Sequence, residues 1–214
     1  MAFVFFDLDG TLTNSQEGII NSIIYSLKKL NREIPNEKIL KEMIGPPLIN
    51  GFADILQIPD DELEAAVAFY REYFSEKGLF ENQVYAGIID LLKQLTKENH
   101  VLAVATSKPE IFAKKILKHF QLEQYFSTIV GATLDGSQSQ KDEILAQAIL
   151  NTRANKKQSV MIGDRRHDAI GANHNHIPCI GVTWGFGSVE ELKENGVYQI
   201  ANHPNEIWKY IQSI

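Results

Sequence analysis

Beyond residue 84, the chain alternates short apolar runs with segments of helical periodicity, a pattern that restricts the possible folds more than any other feature. Such alternation is typical of an α/β protein, in which a parallel sheet carries helices on both faces. The runs predict strands over Val101–Ala105, Thr128–Val130, Ser159–Ile162, Cys179–Val182 and Tyr198–Ala201. Helices are predicted near Ile88–Glu98, Pro109–Phe120, Lys141–Asn151, Asp168–Asn175, Val189–Asn195 and Asn205–Gln212.

The stretch between Asn14 and Phe80 has a different pattern, with no convincing strand and three amphipathic helices. These helices are predicted over Glu17–Leu30, Glu37–Ile44 and Asp61–Glu76. We therefore expect a core domain of residues 1-13 and 81-214, with a helical insertion at residues 14-80. Because the insertion begins close to the end of the first strand, we expect its helices to cover that strand end as a lid.

Composition argues against several classes of protein. A hydrophobic content of 44% with 22% charged residues is ordinary for a globular domain. The formal net charge of −6 argues against nonspecific binding to nucleic acid, which needs clustered lysine and arginine. No segment has the pattern of a membrane span or a signal peptide, and the single cysteine, Cys179, fits a buried structural thiol in a reducing compartment. We expect a cytoplasmic protein that does not associate with membranes.

Two carboxylates follow the first apolar run directly. Ala2–Phe6 fits a strand buried on both faces, and Asp7 and Asp9 come at its carboxyl end. Ligands bind at this edge of open α/β sheets, and acids this close repel one another unless a cation lies between them. The alternative is an aspartate that caps an ordinary turn. The pattern predicts a metal site with a carboxylate free to do chemistry.

Three further signals come where later strands are predicted to end. Thr106 and Ser107 stand at a strand-to-helix turn whose hydroxyls and amides can bind phosphate oxygens, although they can also serve simply as a helix cap. Lys141 opens a helix, where a cation opposes the helix dipole, so it could have a functional role or be a solvated surface lysine. Asp164 and Asp168 follow the strand SVMI, and with the first two acids they provide the oxygen-rich ligands that Mg²⁺ prefers.

The ordered set DLDGT at 7–11, Thr106, Lys141 and GDRRHD at 163–168 resembles the haloacid dehalogenase superfamily. The helical insertion after the first motif is similar to the C1-cap branch of that superfamily. The stretches IGPPL, YREYF and TWGFGS are similar to the phosphoglycolate phosphatase-like group. The resemblance implies a Rossmann-like core with an inserted α-helical cap.

The resemblance also implies roles for individual residues. Asp7 would be the nucleophile that accepts the phosphoryl group, and Asp9 the acid that protonates the leaving alcohol and then activates water. The phosphoryl oxygens would be bound by Thr106, Ser107 and Lys141. Mg²⁺ would be held by the Asp7 side chain, the Asp9 backbone carbonyl and Asp164, with Asp168 as a further ligand or its neighbour.

The implied function is a Mg²⁺-dependent phosphatase that acts on a small phosphorylated metabolite, with phosphoglycolate as the leading candidate. Alternatives within enzymes are a nucleotidase, a sugar phosphatase, a pyrophosphatase and a phosphomutase similar to β-phosphoglucomutase. The alternative from another class is a noncatalytic phospholigand-binding regulator, which would lack Asp7 or Asp9. Both residues are present. Either a monomer or a homodimer is compatible with the sequence.

Some positions depart from the family pattern or allow two interpretations. Lys141 is followed by Asp142, where many relatives have proline, so Lys108 is an alternative phosphate ligand, although its position suggests the periphery of the site. The basic run 165–167 could contact substrate or form ion pairs with Asp164 and Asp168. The loop 183–188 could line an entrance or simply pack against the core.

Overall fold

The computed structural model describes residues 1–213, which contain one six-stranded sheet and one two-stranded sheet. The strands are β1 (Phe3–Phe6), β2 (Thr13–Asn14), β3 (Gln83–Val84), β4 (Val101–Pro109), β5 (Thr128–Ala132), β6 (Ser159–Gly163), β7 (Cys179–Val182) and β8 (Gln199–Ala201). The larger sheet has the order β5-β4-β1-β6-β7-β8, and each pair of neighbours is parallel. The short strands β2 and β3 form the smaller sheet.

The position of β1 in the middle of the sheet explains its composition. All four of its residues are buried, and Phe3 pairs in register with Val101 on one side and Ser159 on the other. A strand with a parallel neighbour on each edge and helices over both faces has no side chain that reaches solvent, so a continuous apolar run suits it. Phe5 accordingly belongs to an apolar core cluster together with residues of β4, β6 and β7.

The chain divides into two compact units, Met1–Asn14 with Val84–Ile214, and Ser15–Gln83. The helices of the first unit are α5 (Ile88–Lys97), α6 (Glu110–His119), α7 (Lys141–Thr152), α8 (Arg166–His174), α9 (Val189–Glu194) and α10 (Pro204–Ile211). Short 3₁₀ turns lie at Glu123–Tyr125 and Lys156–Gln158. The predicted α/β class, a parallel sheet flanked by helices, is confirmed. The functional division into a catalytic core and a cap stays a prediction.

The second unit is helical. It contains α1 (Gln16–Lys29), α2 (Glu37–Glu42), α3 (Leu48–Asn50) and α4 (Asp60–Tyr73), with π-helical turns at Gly51–Ile55 and Phe74–Gly78. The sequence pattern predicted α1, α2 and α4 but neither π-helical turn, because one inserted residue barely changes helical periodicity. Among residues 1–213, none of the helices combines the length and the hydropathy that crossing a membrane requires.

Candidate active site

The parallel arrangement brings three of the predicted acidic residues together at the carboxyl edge of the sheet. Strands β1 and β6 are neighbours, and the Asp7 amide donates a hydrogen bond to the carbonyl of Ile162, at 2.9 Å. The carboxylate oxygens of Asp7, Asp164 and Asp168 lie within 4.8 Å of one another, and all three residues are buried. Asp7 is 157 positions from Asp164 and 161 from Asp168 along the chain, so the sheet topology is what brings Asp7 to the other two acids.

Lys141 lies inside this cluster. Its Nζ atom is 2.7 Å from Asp7 Oδ1 and 2.9 Å from Asp168 Oδ1, and it donates a further hydrogen bond to the carbonyl of Ala105, at 3.2 Å. Burial alone would lower the pKa of Lys141, but the carboxylates of Asp168 and Asp7 outweigh it and raise that pKa above its ordinary value. The side chain therefore stays charged at the start of α7 although only 6% of it is exposed.

Burial and the neighbouring negative charges raise the pKa values of two of the carboxylates, Asp7 and Asp164. Burial raises the pKa of Asp7 to about 6, against the opposing effect of Lys141. Burial also raises the pKa of Asp164 well above its ordinary range, and the charges of Asp168 and Asp7 add to that effect. Both shifts mean that the ionised cluster needs more positive charge than Lys141 supplies.

Asp9 points to a different partner. Its Oδ2 atom is 2.7 Å from Lys108 Nζ, and these side chains are 19% and 6% exposed, respectively. Among the described residues none hydrogen-bonds to Asp9 Oδ1, which is buried. The predicted peripheral position of Lys108 is therefore wrong, since the lysine lies against one of the predicted catalytic carboxylates.

The donor set fits a divalent cation. Lys108 and Lys141 form ion pairs with Asp9, Asp7 and Asp168, and the charge of Arg165 also acts on Asp164. With all four carboxyl groups ionised, the acids outnumber these three cationic side chains. Three buried carboxylates with converging oxygens are the hard ligands that Mg²⁺ prefers. The Asp9 side chain lies outside this three-carboxylate group, which agrees with a contribution from its backbone carbonyl.

Gly10 allows the first motif to approach Asp164 closely. Its φ is +84°, and a Cβ atom there would lie 2.3 Å from Asp164 Oδ2. Any other residue would displace that carboxylate or strain the backbone. The glycine of DLDGT is therefore part of the geometry of the cluster.

Thr106 and Ser107 lie at the carboxyl end of β4, on the same edge of the sheet as Asp7. Thr106 is buried, and its Oγ1 atom accepts a hydrogen bond from the Lys108 amide, at 3.3 Å. The carbonyl of Ala105, directly before them, accepts from Lys141. Lys141 therefore contacts the backbone directly before Thr106 and Ser107, and a shared role of the three residues in binding phosphate stays a prediction.

The loop 183–188 packs against the acidic cluster, while its alternative role as a wall of the entrance stays a prediction. The Phe186 amide donates to Asp164 Oδ2 at 2.7 Å, and Trp184 Nε1 donates to the carbonyl of Thr11 at 3.1 Å. Thr11 Oγ1 donates to Asp164 Oδ1 at 3.4 Å. Both oxygens of Asp164 are thus oriented by neighbouring groups.

The sequence did not indicate Tyr85 as a residue near the site, and it left the role of the basic run 165–167 open. Burial raises the pKa of Tyr85, with further effects from the charges of Asp164 and Asp9, so this phenol lies close to the carboxylates. No motif marks it. Arg165 forms an ion pair with Glu191 of α9 at 3.0 Å, and Glu191 also accepts from the Arg166 amide at 2.8 Å. This basic run therefore has one partner from another helix, and the Arg165 amide also donates to Asp168 Oδ2, at 3.1 Å.

Comparison with known proteins agrees with this geometry. A family model described as haloacid dehalogenase-like hydrolase matches residues 4–182 of the chain. The chain belongs to this family. Its membership confirms the resemblance found in the four strand-end motifs, and with it the prediction of a hydrolase.

Individual relatives of the haloacid dehalogenase-like family cover most of the chain. A Pseudomonas aeruginosa protein named 5'-nucleotidase is 42% identical over 89% of this chain and 86% of its own length. A Pseudomonas fluorescens protein named phosphoglycolate phosphatase is 27% identical over 89% and 72%. The crystal structure of a predicted phosphatase from Clostridium acetobutylicum has a TM-score of 0.94 and 45% identity, and the match covers 100% of this chain and 99% of that one.

Proposed function

We propose that this haloacid dehalogenase-like protein is a Mg²⁺-dependent phosphatase that hydrolyses a small phosphomonoester through an aspartyl-phosphate intermediate. As a member of this family with phosphatase relatives, the chain is a phosphoric monoester hydrolase. The observation that carries the finer proposal is the position of Asp7, whose carboxylate touches Lys141 and lies beside Asp164 and Asp168 at the carboxyl edge of the sheet.

The first half-reaction follows from the groups around Asp7. A carboxylate oxygen of Asp7 attacks the phosphorus atom, and the bond from phosphorus to the alcohol oxygen breaks. Lys141, Thr106 and Ser107 bind the phosphoryl oxygens and orient them for this attack. Asp9 donates a proton to the departing oxygen, which would otherwise leave as a poorly stable alkoxide.

The second half-reaction uses the same residues. Asp9, now ionised, takes a proton from a water molecule, whose oxygen attacks the phosphorus of the aspartyl phosphate. The bond between Asp7 and phosphorus breaks, which releases inorganic phosphate and leaves Asp9 protonated for the next cycle.

A metal ion completes the charge balance. Asp7, Asp164 and Asp168 would hold Mg²⁺, with the Asp9 carbonyl as a further ligand. When bound, the ion offsets the repulsion between the anionic phosphoryl group and the Asp7 carboxylate. Asp164 is prepared for this role because Phe186 and Thr11 fix its orientation.

Two substrate classes lead the candidates. The 42% identical relative named 5'-nucleotidase favours a nucleoside 5'-monophosphate. The 27% identical relative named phosphoglycolate phosphatase supports phosphoglycolate, the leading candidate from the sequence motifs. Both are alkyl phosphomonoesters, and both need the proton that Asp9 supplies.

Phosphate release from a panel of phosphomonoesters tests the proposal. The panel holds nucleoside 5'-monophosphates, phosphoglycolate, sugar phosphates and pyrophosphate, each measured with Mg²⁺ and with chelator. We expect metal-dependent release that Asp7→Asn abolishes, and unchanged release in Asp90→Asn, which alters an exposed aspartate of α5. Activity that survives in Asp7→Asn would contradict the nucleophile, and activity that survives chelation would contradict the metal.

A further inference from the structure

Lys108 and Lys141 divide the two carboxylates of the first motif between them. Lys141 binds Asp7, the proposed nucleophile, whereas Lys108 binds Asp9, the proposed acid, with 2.7 Å between charged atoms in each pair. Both lysine side chains are only 6% exposed. Burying a lysine side chain costs free energy through lost side-chain entropy and desolvation of the charge, so each of these contacts needs a specific explanation.

A bulge at the end of β4 brings Lys108 to Asp9. Thr106 pairs with Gly131 of β5 and Pro109 pairs with the next residue, Ala132, so Ser107 and Lys108 have no counterpart on β5. A bulge of this kind breaks the alternation of side chains along a strand and redirects them. The hydrogen bond from the Lys108 amide to Thr106 Oγ1 closes the local turn.

The bulge depends on Gly131 in the adjacent strand. A Cβ atom at Gly131 would lie 2.6 Å from the Lys108 carbonyl oxygen and 2.7 Å from the Glu110 amide nitrogen. Only a residue without a side chain allows the two backbones to approach this closely. The position of Lys108 beside Asp9 therefore depends on both β4, which contains the bulge, and β5, which contains Gly131.

We propose that Lys108 is a positioning residue that holds Asp9 through Oδ2, so that Oδ1 is the oxygen that exchanges the proton with the leaving group and with water. This inference rests on the proposed phosphatase function. The different surroundings of the two Asp9 oxygens support it. Oδ2 forms an ion pair with Lys108, whereas no described residue hydrogen-bonds to the buried Oδ1.

The same contact serves both half-reactions. When Asp9 carries its proton on Oδ1, Oδ2 still accepts a hydrogen bond from the ammonium group. Proton donation breaks the bond between Oδ1 and hydrogen and forms one between hydrogen and the leaving oxygen, as the bond from phosphorus to that oxygen breaks. The ammonium group keeps its proton throughout. Without Lys108 the carboxyl group could rotate and offer either oxygen, which would make the productive geometry rare.

The alternative role for Lys108, a direct phosphate ligand, predicts different kinetics. A phosphate ligand stabilises every substrate alike, because all phosphomonoesters share the phosphoryl group. A residue that positions the acid matters only when the leaving oxygen needs a proton. Alkyl phosphates have this need, whereas 4-nitrophenyl phosphate has a leaving group that departs readily without protonation.

The experiment compares kcat/KM for these two kinds of substrate in Lys108→Met, Lys108→Arg and the wild-type holoenzyme with Mg²⁺. The alkyl substrate is the better of phosphoglycolate and a nucleoside 5'-monophosphate. Lys118→Met, which removes an exposed lysine of α6, is the matched control. Inhibition by inorganic phosphate is measured on each variant as a readout of phosphate binding that does not depend on leaving-group chemistry.

We expect Lys108→Met to lower kcat/KM for the alkyl phosphate by about 100-fold, in the range of general acid catalysis, and for 4-nitrophenyl phosphate by less than about 5-fold. Lys108→Arg should recover part of the loss, and inhibition by phosphate should not change. Equal losses for both substrates with weaker phosphate inhibition would overturn the proposal in favour of a phosphate ligand. No loss for either substrate would overturn it as well.

A double variant keeps the test decisive if Lys108→Met alone misfolds. Asp9→Asn with Lys108→Met leaves no unpaired charge at this contact, and we expect its kcat/KM for the alkyl phosphate to equal that of Asp9→Asn alone. A further loss in the double variant would show that Lys108 acts other than through Asp9.

If the wild-type protein hydrolyses neither substrate, the proposed function fails and this inference fails with it. If the wild type is active but the Lys108 variants keep its ratio of kcat/KM for the alkyl phosphate to that for 4-nitrophenyl phosphate, only this inference is contradicted.

Discussion

Burial changes the pKa values of individual side chains in this protein. The acids Asp7 and Asp164 have raised pKa values because they are desolvated, and Lys141 keeps its charge because it contacts two carboxylates. Removing one partner of a fully buried ion pair costs about 3–5 kcal/mol, because the other charge is left without compensation. Lys141→Met should for this reason affect folding as well as catalysis, which makes it a poor probe of mechanism.

The thiol of Cys179 shows the same effect in a group without a catalytic role. It is 2% exposed in β7, and burial raises its pKa well above the ordinary value. Because the thiolate is the reactive form, we expect no reaction of the native protein with a chromogenic disulfide reagent over the time in which a free thiol reacts completely.

Unfolding supplies the control for the Cys179 experiment. In guanidinium chloride the chain, which has a single cysteine, should release one equivalent of chromophore. Rapid labelling of the native protein would show instead that β7 opens readily to solvent, and would contradict the buried structural role.

At the scale of elements, the ends of the strands decide where the functional groups lie. β1 and β6 end directly at acidic residues, whereas β4 continues through a bulge before α6 begins. The bulge changes which side chain of the TSKP segment reaches Asp9. A small residue in the neighbouring strand, Gly131, is the feature that permits it.

Gly131→Ala tests this dependence on the neighbouring strand. The new methyl group would meet the backbone of Lys108 and Glu110, so we expect a loss of about 1–3 kcal/mol in the free energy of unfolding, typical of overpacking. The kcat/KM for an alkyl phosphate should fall more than that for 4-nitrophenyl phosphate, as in Lys108→Met. Denaturant titration and steady-state kinetics measure the two effects.

Gly136→Ala is the matched control for Gly131→Ala. Gly136 lies in the loop after β5 with φ of +76°, and a Cβ atom there meets nothing within 4 Å. Its substitution should cost only about 1 kcal/mol of backbone strain and leave the ratio of the two substrates unchanged. A change of that ratio in Gly136→Ala, or an unchanged ratio in a folded Gly131→Ala, would contradict the role of the bulge.

At the scale of the whole molecule, the excess negative charge at the carboxyl edge of the sheet couples stability to metal and pH. Mg²⁺ at 100 times its Kd should add about 2.7 kcal/mol to the free energy of unfolding. For a chain of this length that gain corresponds to a rise of roughly 5–10 °C in Tm. Chelator should remove the gain, and sodium chloride at equal ionic strength should not reproduce it.

The gain in Tm from Mg²⁺ should depend on pH with a definite sign. The pKa of Asp7 is raised to about 6, so below that pH the metal-free native protein holds a proton that a metal ligand must release. The raised pKa also means that metal-free stability from this group falls as the pH rises from about 4 to 6. We therefore expect a larger Mg²⁺-induced shift in Tm at pH 7.5 than at pH 5. Equal shifts at both values would argue against Asp7 as a ligand.

Most of the core could be predicted from the amino-acid sequence by itself. The period of the apolar residues placed β6 and β7 to within one residue, since a buried strand between helices requires a continuous apolar run. It also predicted a common edge for Asp7, Thr106 and Asp164, because the carboxyl ends of parallel strands lie on the same side of a sheet. These conclusions need only local periodicity and the parallel sheet that alternating strands and helices form.

The pairing of particular charged groups was decided only by the tertiary structure. Lys108 and Asp9 are 99 positions apart, and Arg165 and Glu191 are 26 apart, so no local pattern records either contact. The sequence placed Lys108 at the periphery, because strand alternation cannot anticipate a bulge that depends on a glycine in the next strand. Local propensity therefore determines the elements and their order along the chain, whereas close packing between distant backbones determines which lysine holds which carboxylate.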